Sequence, residues 1–428
     1  MQFRLKNLLT MYVLLLLTFV FLSTNSLAQE LRREGRYFVT EITKSFTVKK
    51  GGTLHIFDVR GDIQVDAWEK NQVEIHEFVR MDVFTEEEAE TALNKFKSSY
   101  RQRGDVIEIG GEGYHRDWIQ RDFKVKVPRV YNVDLHTRGG DLTVSGVAGE
   151  TTLGTSGGDI TLNDIDGPVN AKTSGGDIEV IDAKKEVTIK TSGGDLELEN
   201  IGGPVIATTS GGDITLRRSD AKVEIRTSGG DIELYDVGGE VKAHTSGGDV
   251  DIQNTKGSVD VRTSGGDIDL RNIGGSLEAS TAGGDIEGRT IEGGAQIYTS
   301  GGSIELRDVK GGVRGKTAGG DISVEITLMD FKKDHRVDLR TAGGEITLYI
   351  PEKLPATIVA EIEIADRWED YNIYSDFPLT ISEDSKREKG WRRWGRRIIR
   401  SEGEINGGGD LIELYTTNGD IYIKKLRK

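Results

Sequence analysis

The chain has 428 residues, with 71 acidic and 56 basic side chains, a formal net charge of −15 and no cysteine. Nucleic-acid binding requires a basic surface, so this acidic balance excludes DNA and RNA as partners. Without cysteine there are no disulfide bonds, no thiolate chemistry and no cysteine-linked lipid anchor.

Residues 1–28 have the pattern of a secretory signal peptide. Arg4 and Lys6 precede an apolar run from Leu8 to Leu22, and Ser26-Leu27-Ala28 supplies the small residues of a cleavage site. We therefore predict cleavage before Gln29 and export of the mature chain to the periplasm, the cell surface or the extracellular space. An uncleaved N-terminal anchor is the alternative, although the apolar run is short for a membrane span.

Residues 29–128 predict a β-rich cap that contains one helix over residues 85–100. Thr85 and Glu88 have the spacing of a capping box. The predicted apolar face of the helix consists of Ala89, Leu93, Phe96 and Tyr100. We expect a lone amphipathic helix at this place to cover the open end of the repeats that follow.

Residues 129–350 contain a strict sequence repeat. Gly-Gly-Asp ends at Asp141 and recurs with an 18-residue period up to Asp321, with Ser303 as the one replacement. Counted from this Asp as position 0, apolar residues recur at +1, +3, +6, +10 and +12. Their alternation predicts two strands per period, near 0 to +4 and +9 to +14. The predicted fold is therefore all-β, a parallel β-solenoid (β-helix) with about 18 residues per coil.

The sizes of the residues at +6 and +12 alternate in opposite phase. Ile165 at +6 is followed by Ala171 at +12, whereas Ala183 in the next period is followed by Ile189. Because close-packed interiors conserve volume, this alternation predicts that the two positions share one core layer and that the unit is a 36-residue pair of coils. One wide 36-residue coil is the alternative.

Three rows of charged residues are predicted along the surface. We expect each Asp at position 0 to accept hydrogen bonds from turn N–H groups; a row of calcium ions is the alternative. Position +2 is mostly acidic and position +13 is often basic. We interpret these two rows as solvated faces, with a glycan or protein ligand lying along the rod as the alternative. The basic positions include Lys172, Lys190, Arg226, His244, Arg262, Lys316 and Arg340.

Residues 351–428 predict a C-terminal β cap with a basic, tryptophan-containing segment at 386–400. Eight basic residues against one acid contrast with the acidic chain. We predict that this segment contacts an anionic envelope surface; an exposed hairpin whose tryptophans pack on the solenoid is the alternative. The candidate binding residues are Trp391, Arg392, Arg393, Trp394, Arg396 and Arg397.

The chain resembles a family of bacterial β-solenoid domains of unknown function known as "putative adhesins". The resemblance covers about residues 37–428. It rests on Gly61-Asp62-Ile63 with Trp68, the Ser-Gly-Gly-Asp-Ile repeats, Asp376-Phe377-Pro378-Leu379 and Asn418-Gly419-Asp420-Ile421. It implies a parallel β-solenoid at the bacterial envelope, and it supplies no catalytic residues to transfer.

The sequence predicts a non-enzymatic, exported binding or structural module of the cell envelope. The six histidines are scattered, and neither a Ser/His/Asp arrangement nor a metal-ligand spacing is present. We therefore expect no catalytic residue, no metal and no cofactor. The expected partners are an envelope glycan, an anionic lipid surface or an envelope protein. A polysaccharide-active β-helix enzyme and an envelope-stress accessory protein are the alternatives.

Overall fold

A computed structural model describes residues 31–111, 118–328, 330–364, 370–385 and 397–426. These residues form 38 strands and one helix, so the predicted all-β fold is confirmed. The predicted signal peptide lies outside the described residues.

The N-terminal region builds the first end of two sheets. The strands are β1 (Arg32–Glu34), β2 (Tyr37–Thr47), β3 (Thr53–Val59), β4 (Ile63–Trp68), β5 (Gln72–Met81), β6 (Ser99–Arg103), β7 (Val106–Gly110) and β8 (Ile119–Pro128). In the first sheet, β8 pairs in parallel with β4 and antiparallel with β5, and β5 pairs antiparallel with β2.

The helix, α1, spans Glu86–Lys95 and is shorter than predicted. The predicted capping box is confirmed, because Thr85 Oγ1 accepts a hydrogen bond from the Glu88 N–H and the Glu88 carboxylate accepts one from the Thr85 N–H. The predicted end at residue 100 is wrong: Phe96 caps the helix, and Tyr100 lies in β6. The helix packs on a small apolar cluster that includes Phe38, Met81 and Ile119.

Each 18-residue period contributes one strand to each of two stacked sheets. The first sheet continues through β10 (Leu142–Ser145), β12 (Ile160–Ile165), β14 (Ile178–Ala183), β16 (Leu196–Ile201), β18 (Ile214–Ser219), β20 (Ile232–Val237), β22 (Val250–Thr255), β24 (Ile268–Ile273), β26 (Ile286–Ile291), β28 (Ile304–Val309), β30 (Ile322–Ile326) and β32 (Ile346–Ile350).

The second sheet lies opposite the first and is built from the other strand of each period. It continues through β9 (Asn132–Thr137), β11 (Thr151–Gly154), β13 (Val169–Lys172), β15 (Val187–Lys190), β17 (Val205–Thr208), β19 (Val223–Arg226), β21 (Val241–His244), β23 (Val259–Arg262), β25 (Leu277–Ser280), β27 (Ala295–Tyr298), β29 (Val313–Lys316) and β31 (Val337–Thr341).

The strand register confirms that each period forms one coil. Ile160 pairs with Ile178 in the first sheet, and Val169 pairs with Val187 in the second, both in parallel. The alternative of one wide 36-residue coil is therefore wrong. The strands occupy positions +1 to +6 and +10 to +13, and their inward residues form one continuous buried core.

Two glycines show which positions lie side by side inside the core. A Cβ atom added at Gly315, a +12 position, would lie nearest to Leu339, Ile304 and Ile322, which occupy +12 and +1. A Cβ atom added at Gly288, a +3 position, would lie near Ile291 at +6. At these two sites +12 lies beside +1, and +3 lies beside +6. The sharing of one core layer by +6 and +12 stays a prediction. The size alternation runs along each stack of equivalent positions, where Ile165 lies beside Ala183 and Ala171 lies beside Ile189.

The C-terminal residues return to both sheets. They form β33 (Ala356–Ile364), β34 (Ile373–Ser375), β35 (Thr380–Ser385), β36 (Arg397–Ile405), β37 (Asp410–Thr417) and β38 (Ile421–Lys425). Strand β37 pairs in parallel with β31 on one side and with β33 on the other, while β38 pairs with β32 and β34. Strand β36 pairs antiparallel with β33 and with β35.

Candidate binding groove

The Asp row holds neighbouring coils together. The Asp159 N–H donates to Asp141 Oδ1 at 2.9 Å, and the Asp177 N–H donates to Asp159 Oδ1 at 2.9 Å. The same contact recurs in later coils, so the predicted hydrogen bonding of the Asp row to turn N–H groups is confirmed. Within the described ranges, no group of three or more His, Asp and Glu side chains could hold a metal ion.

A row of buried threonines reinforces the same corner and was not predicted. Thr155 Oγ1 donates to the Gly140 carbonyl at 2.9 Å and accepts from the Gly158 N–H at 3.4 Å. The equivalent threonines of the next coils repeat the first contact. The Thr at +14 was visible in every repeat, and its polar type at an inward position was the signal for a buried hydrogen bond.

A second unpredicted feature is a left-handed residue at +5. Asp164, Asp182 and Asn200 have φ of 53°, 57° and 57°. Asn and Asp tolerate this conformation better than most residues. Because of this residue, the side chains that point into the core change from the odd positions +1 and +3 to the even position +6. That change of parity, together with Asp or Asn at +5, was the available signal.

One groove interrupts the regular flank of the solenoid at the start of the second-sheet strands. At +9, the six coils from Glu150 to Glu240 carry Glu, Pro or Lys, whereas the next four carry Ser258, Ser276, Gly294 and Gly312. A groove of about 850 Å³ lies over these small residues. Four coils at about 4.8 Å each make its floor roughly 15–20 Å long.

The C-terminal end of the groove is closed by residues from two separate segments. Lys333, Asp334 and Arg336 belong to the irregular stretch between β30 and β31, and Leu411 and Glu413 belong to β37. Leu411 is 40% exposed. The sequence showed the six-residue insertion and the small +9 residues, but it did not show that β37 returns beside β31.

The groove presents hydroxyl groups and paired charges. Ser276 Oγ donates to Ser258 Oγ at 3.0 Å. Lys310 pairs with Glu292 across neighbouring coils, and Arg314 Nε lies 3.5 Å from Asp338 Oδ2. Arg336 Nη2 lies 2.7 Å from Asp334 Oδ2. The surface can therefore both donate and accept hydrogen bonds along its length.

The pKa shifts in the groove favour the charged forms. The hydrogen bonds from Arg336 lower the pKa of Asp334 to about 2, and the same pairing raises the pKa of Arg336. The hydrogen bond to Glu292 raises the pKa of Lys310. A general acid or base works best with a pKa near the working pH, and these groups are shifted away from it. The chemistry of these three groups suits ligand binding rather than proton transfer.

The predicted basic segment can be placed only at its end. Arg397 is the first residue of β36, where its guanidinium lies 2.9 Å from Asp370 and 3.5 Å from Glu383. Trp391, Arg392, Arg393, Trp394 and Arg396 lie outside the described residues. In the described parts of the chain, no helix is both long and apolar enough to cross a membrane.

The comparison with protein families identifies the repeats. The Toastrack DUF4097 family model matches residues 119–200 and, in a second overlapping copy, residues 182–290. Residues 119–290 are therefore similar to Toastrack DUF4097 domains. The predicted resemblance to a bacterial β-solenoid family is confirmed by this match, which includes the first coils of the groove. No curated protein matches the chain.

Three solved structures are similar to this chain at low sequence identity. A "putative cell adhesion protein" from Clostridium sporogenes is 9% identical, covers 90% of this chain and 100% of its own, and has a TM-score of 0.15. A "putative adhesin" from Bacteroides fragilis is 14% identical, with 66% and 96% covered and a TM-score of 0.19. A "putative lipid binding protein" from Parabacteroides distasonis is 12% identical, with 63% and 97% covered and a TM-score of 0.26. None of these three likenesses bears on the function of this chain.

Proposed function

We propose that the protein is an exported, non-enzymatic β-solenoid that serves as an adhesin-like binding module of the bacterial cell envelope. The observation that carries the proposal is the groove. Position +9 carries Glu, Pro or Lys over six coils and Ser or Gly over the next four, which leaves space for the groove. Residues of a separate segment close one end of the groove. A purely structural rod would not require this change from large to small residues at +9.

The lining of the groove favours an extended, polar ligand. It offers serine hydroxyls, carboxylates, amines and guanidinium groups, and its lining residues include no aromatic ring. Such a mixture matches a hydroxyl-rich polymer, which both donates and accepts hydrogen bonds at regular intervals. We propose an envelope glycan lying along the rod axis as the ligand.

The predicted export supports an envelope location, since an apolar run and a cleavage site precede Gln29. We propose that residues 29–128 and 351–428 cap the two ends of the repeat region, 129–350. Capping protects the open ends of a solenoid from strand addition by other chains.

A glycan array tests the groove directly. The mature chain, residues 29–428, is compared with the double variant Ser258→Glu and Ser276→Glu, which places in the groove the residue that Glu150 and Glu186 supply at +9 outside it. The matched control is Glu186→Ser with Lys222→Ser, at the same register outside the groove. We expect the filled variant to lose at least tenfold in binding and the control to bind like the wild type. Equal binding by the filled variant, or no binding by any chain, would contradict the proposal.

Docking of the basic segment 386–400 to an anionic envelope surface is a second proposal. Its support is the local excess of bases in an acidic chain, with Trp391 and Trp394 beside them. Co-sedimentation with anionic and neutral vesicles compares the wild type with Arg392, Arg393 and Arg396 all changed to Ser. Arg397 is left intact because it pairs with Asp370 and Glu383. Unchanged sedimentation of the folded variant on anionic vesicles would rule out this docking.

A further inference from the structure

The two outer faces of the solenoid carry opposite charges. Position +2 of the first sheet forms an acidic row, and position +13 of the second sheet forms a basic row on the opposite side of the same coils. The acidic row is Glu179, Glu197, Glu233, Asp251, Asp269, Glu287 and Glu305. The basic row is Lys172, Lys190, Arg226, Arg262, Lys316 and Arg340, with His244 between its members.

Two lysines and one glutamate of the early coils have no ion-pair partner among the described residues. Lys172 and Lys190 are exposed, and neither has an ion-pair partner in the described part of the molecule; the same holds for Glu179, which is half-buried. The acid at +2 of the next coil is paired, because Glu197 Oε1 lies 3.2 Å from Arg217 Nη1. In later coils an arginine at +4 pairs with the acid at +2 of the same coil. Arg271 lies 2.6 Å from Asp269, and Arg289 lies 3.5 Å from Glu287. The separation of charge is therefore concentrated in the early coils.

The stacking of coils places like charges side by side. Lys172 is the direct cross-strand neighbour of Lys190, and Glu179 is the direct neighbour of Glu197. Like charges at directly opposite positions destabilise a strand pair. The repulsion between Lys172 and Lys190 is not offset by an ion pair of either lysine within the described residues, whereas Glu197 also pairs with Arg217. An opposite charge from outside that lies against a row relieves the repulsion in that row.

Each of the two faces also has an isoleucine that points outward. Ile206 is 38% exposed at +11, beside the basic row, and its neighbour across the strands is Thr188. Ile181 is half-buried at +4, next to Glu199 on the acidic face. A face that combines uncompensated charge with an outward isoleucine is suited to a partner of opposite charge that also offers an apolar side chain.

We propose that a second copy of this chain is that partner, and that the acidic face of one copy packs on the basic face of the next. Lys172 and Lys190 lie in neighbouring coils, as do Glu179 and Glu197, so each pair is spaced by about 4.8 Å and the charges of two copies match over these two coils. A bound polyanion would neutralise the basic face alone, whereas a second copy relieves both faces. Because the contact joins two different faces, it does not close on itself and extends into rows of rods.

Sedimentation velocity of the mature chain tests the proposal with a charge exchange. In the early coils, Lys172→Glu with Lys190→Glu makes both faces acidic, and Glu179→Lys with Glu197→Lys makes both faces basic. We expect the wild type to associate at low ionic strength and to dissociate near 1 M salt, where the Debye length is about 3 Å. Each double variant alone should associate at least tenfold more weakly, and an equal mixture of the two should recover association.

The matched control is Lys222→Glu with Lys256→Glu, which changes the net charge by the same amount at exposed turn positions away from both faces. It should associate like the wild type, and circular dichroism should confirm that every variant is folded. A monomeric wild type at low salt, or a mixture that stays monomeric, would overturn the proposal. The groove variant Ser258→Glu with Ser276→Glu should still associate, so a failure of glycan binding and a failure of association are told apart.

Discussion

Of the two glycines Gly157 and Gly158, only one lies too close to the preceding coil for a side chain to fit. A Cβ atom added at Gly158, at +17, would lie 2.1 Å from the Gly140 carbonyl oxygen of the preceding coil, so only glycine fits there. A Cβ atom added at Gly157, at +16, would meet nothing within 4 Å. The close approach of neighbouring coils therefore requires glycine at +17. The same residue belongs to the hydrogen bonds of the Thr row, since the Gly158 N–H donates to Thr155 Oγ1.

The Asp row allows a prediction at a single residue. Asp213 Oδ1 accepts from the Asp231 N–H at 2.8 Å. Asp213→Ala removes this acceptor at an exposed corner, and we expect a loss of about 1 kcal/mol in the free energy of unfolding. Asp213→Ser should retain most of the stability, because Ser303 Oγ already accepts from the Asp321 N–H at 3.3 Å. Urea unfolding of the three chains measures this, and equal losses for Ala and Ser would show that the acceptor is unimportant.

Tyr131 gives a prediction about alkaline pH. Its side chain is fully buried, and its hydroxyl donates to the Asp105 carbonyl. Burial, and next the charge of Asp105, raise the pKa of Tyr131 from 10 to about 12. The folded state therefore favours the protonated hydroxyl. Its contribution to stability is complete below about pH 10 and is lost as the pH rises through about 12.

Tyr131→Phe removes this titration, so the stability of the variant should fall less steeply above pH 10 than that of the wild type. The difference should approach roughly 2 kcal/mol near pH 12, since each pKa unit corresponds to about 1.4 kcal/mol. Urea unfolding at a series of pH values from 8 to 12 provides the comparison. Parallel curves of stability against pH for the two chains would show that the pKa of Tyr131 is the same in the folded and unfolded states.

Among the elements, the N-terminal cap depends on one buried carboxylate. The Glu77 side chain is fully buried and accepts hydrogen bonds from Ser98 Oγ at 2.7 Å, from the Tyr100 hydroxyl and from Arg121. Arg121 also donates to the Phe96 carbonyl at the end of α1. Burial and the Glu77 charge raise the pKa of Tyr100, which keeps its hydroxyl protonated as a donor. The cluster thus joins β5, β6, β8 and α1.

Breaking this cluster from one side should destabilise the cap strongly. Arg121→Met leaves the Glu77 carboxylate buried without its cation, and we expect a loss of about 3–5 kcal/mol. Adding Glu77→Gln removes the remaining charge and should recover part of that loss. The stability of both variants is measured by thermal unfolding and by the hydrogen exchange of β5 and β8. The matched control is Arg101→Met at an exposed position, which should change stability by less than about 0.5 kcal/mol. A double variant as unstable as Arg121→Met would contradict this reasoning.

The elements also show where prediction from sequence succeeds and where it stops. The strands were predictable because every coil repeats one environment, so the alternation at +1, +3, +10 and +12 reports burial directly. The end of α1 was not, because Ser98 and Tyr100 leave the helical pattern to donate to Glu77, a partner distant in sequence. The groove floor could be seen in the small residues at +9, whereas its end wall depends on the pairing of β37 with β31, two strands that are far apart in the chain.

At the scale of the whole molecule, stability is close to a sum over coils and their contacts, since each coil touches only its neighbours. Deleting a coil therefore changes which core residues lie beside each other in each stack. In the +6 stack, Ile165 lies beside Ala183, and Ala183 lies beside Ile201. The +12 stack alternates in the opposite phase, with Ala171 beside Ile189 and Ile189 beside Ala207.

This alternation predicts that coils are best removed in pairs. Deleting residues 177–194 places Ile165 beside Ile201 and Ala171 beside Ala207, which crowds one stack and leaves a void in the other; each defect costs on the order of 1–3 kcal/mol. Deleting residues 177–212 places Ile165 beside Ser219 and Ala171 beside Ile225, so the large and small order continues. The longer deletion should therefore lower the thermal midpoint less per residue removed. Deletion of residues 195–230 is the matched control, since it joins Ala183 to Val237 and Ile189 to Ala243 and should behave like the other paired deletion. Equal or greater loss per residue for the paired deletions would show that single coils, rather than pairs, are the unit of this solenoid.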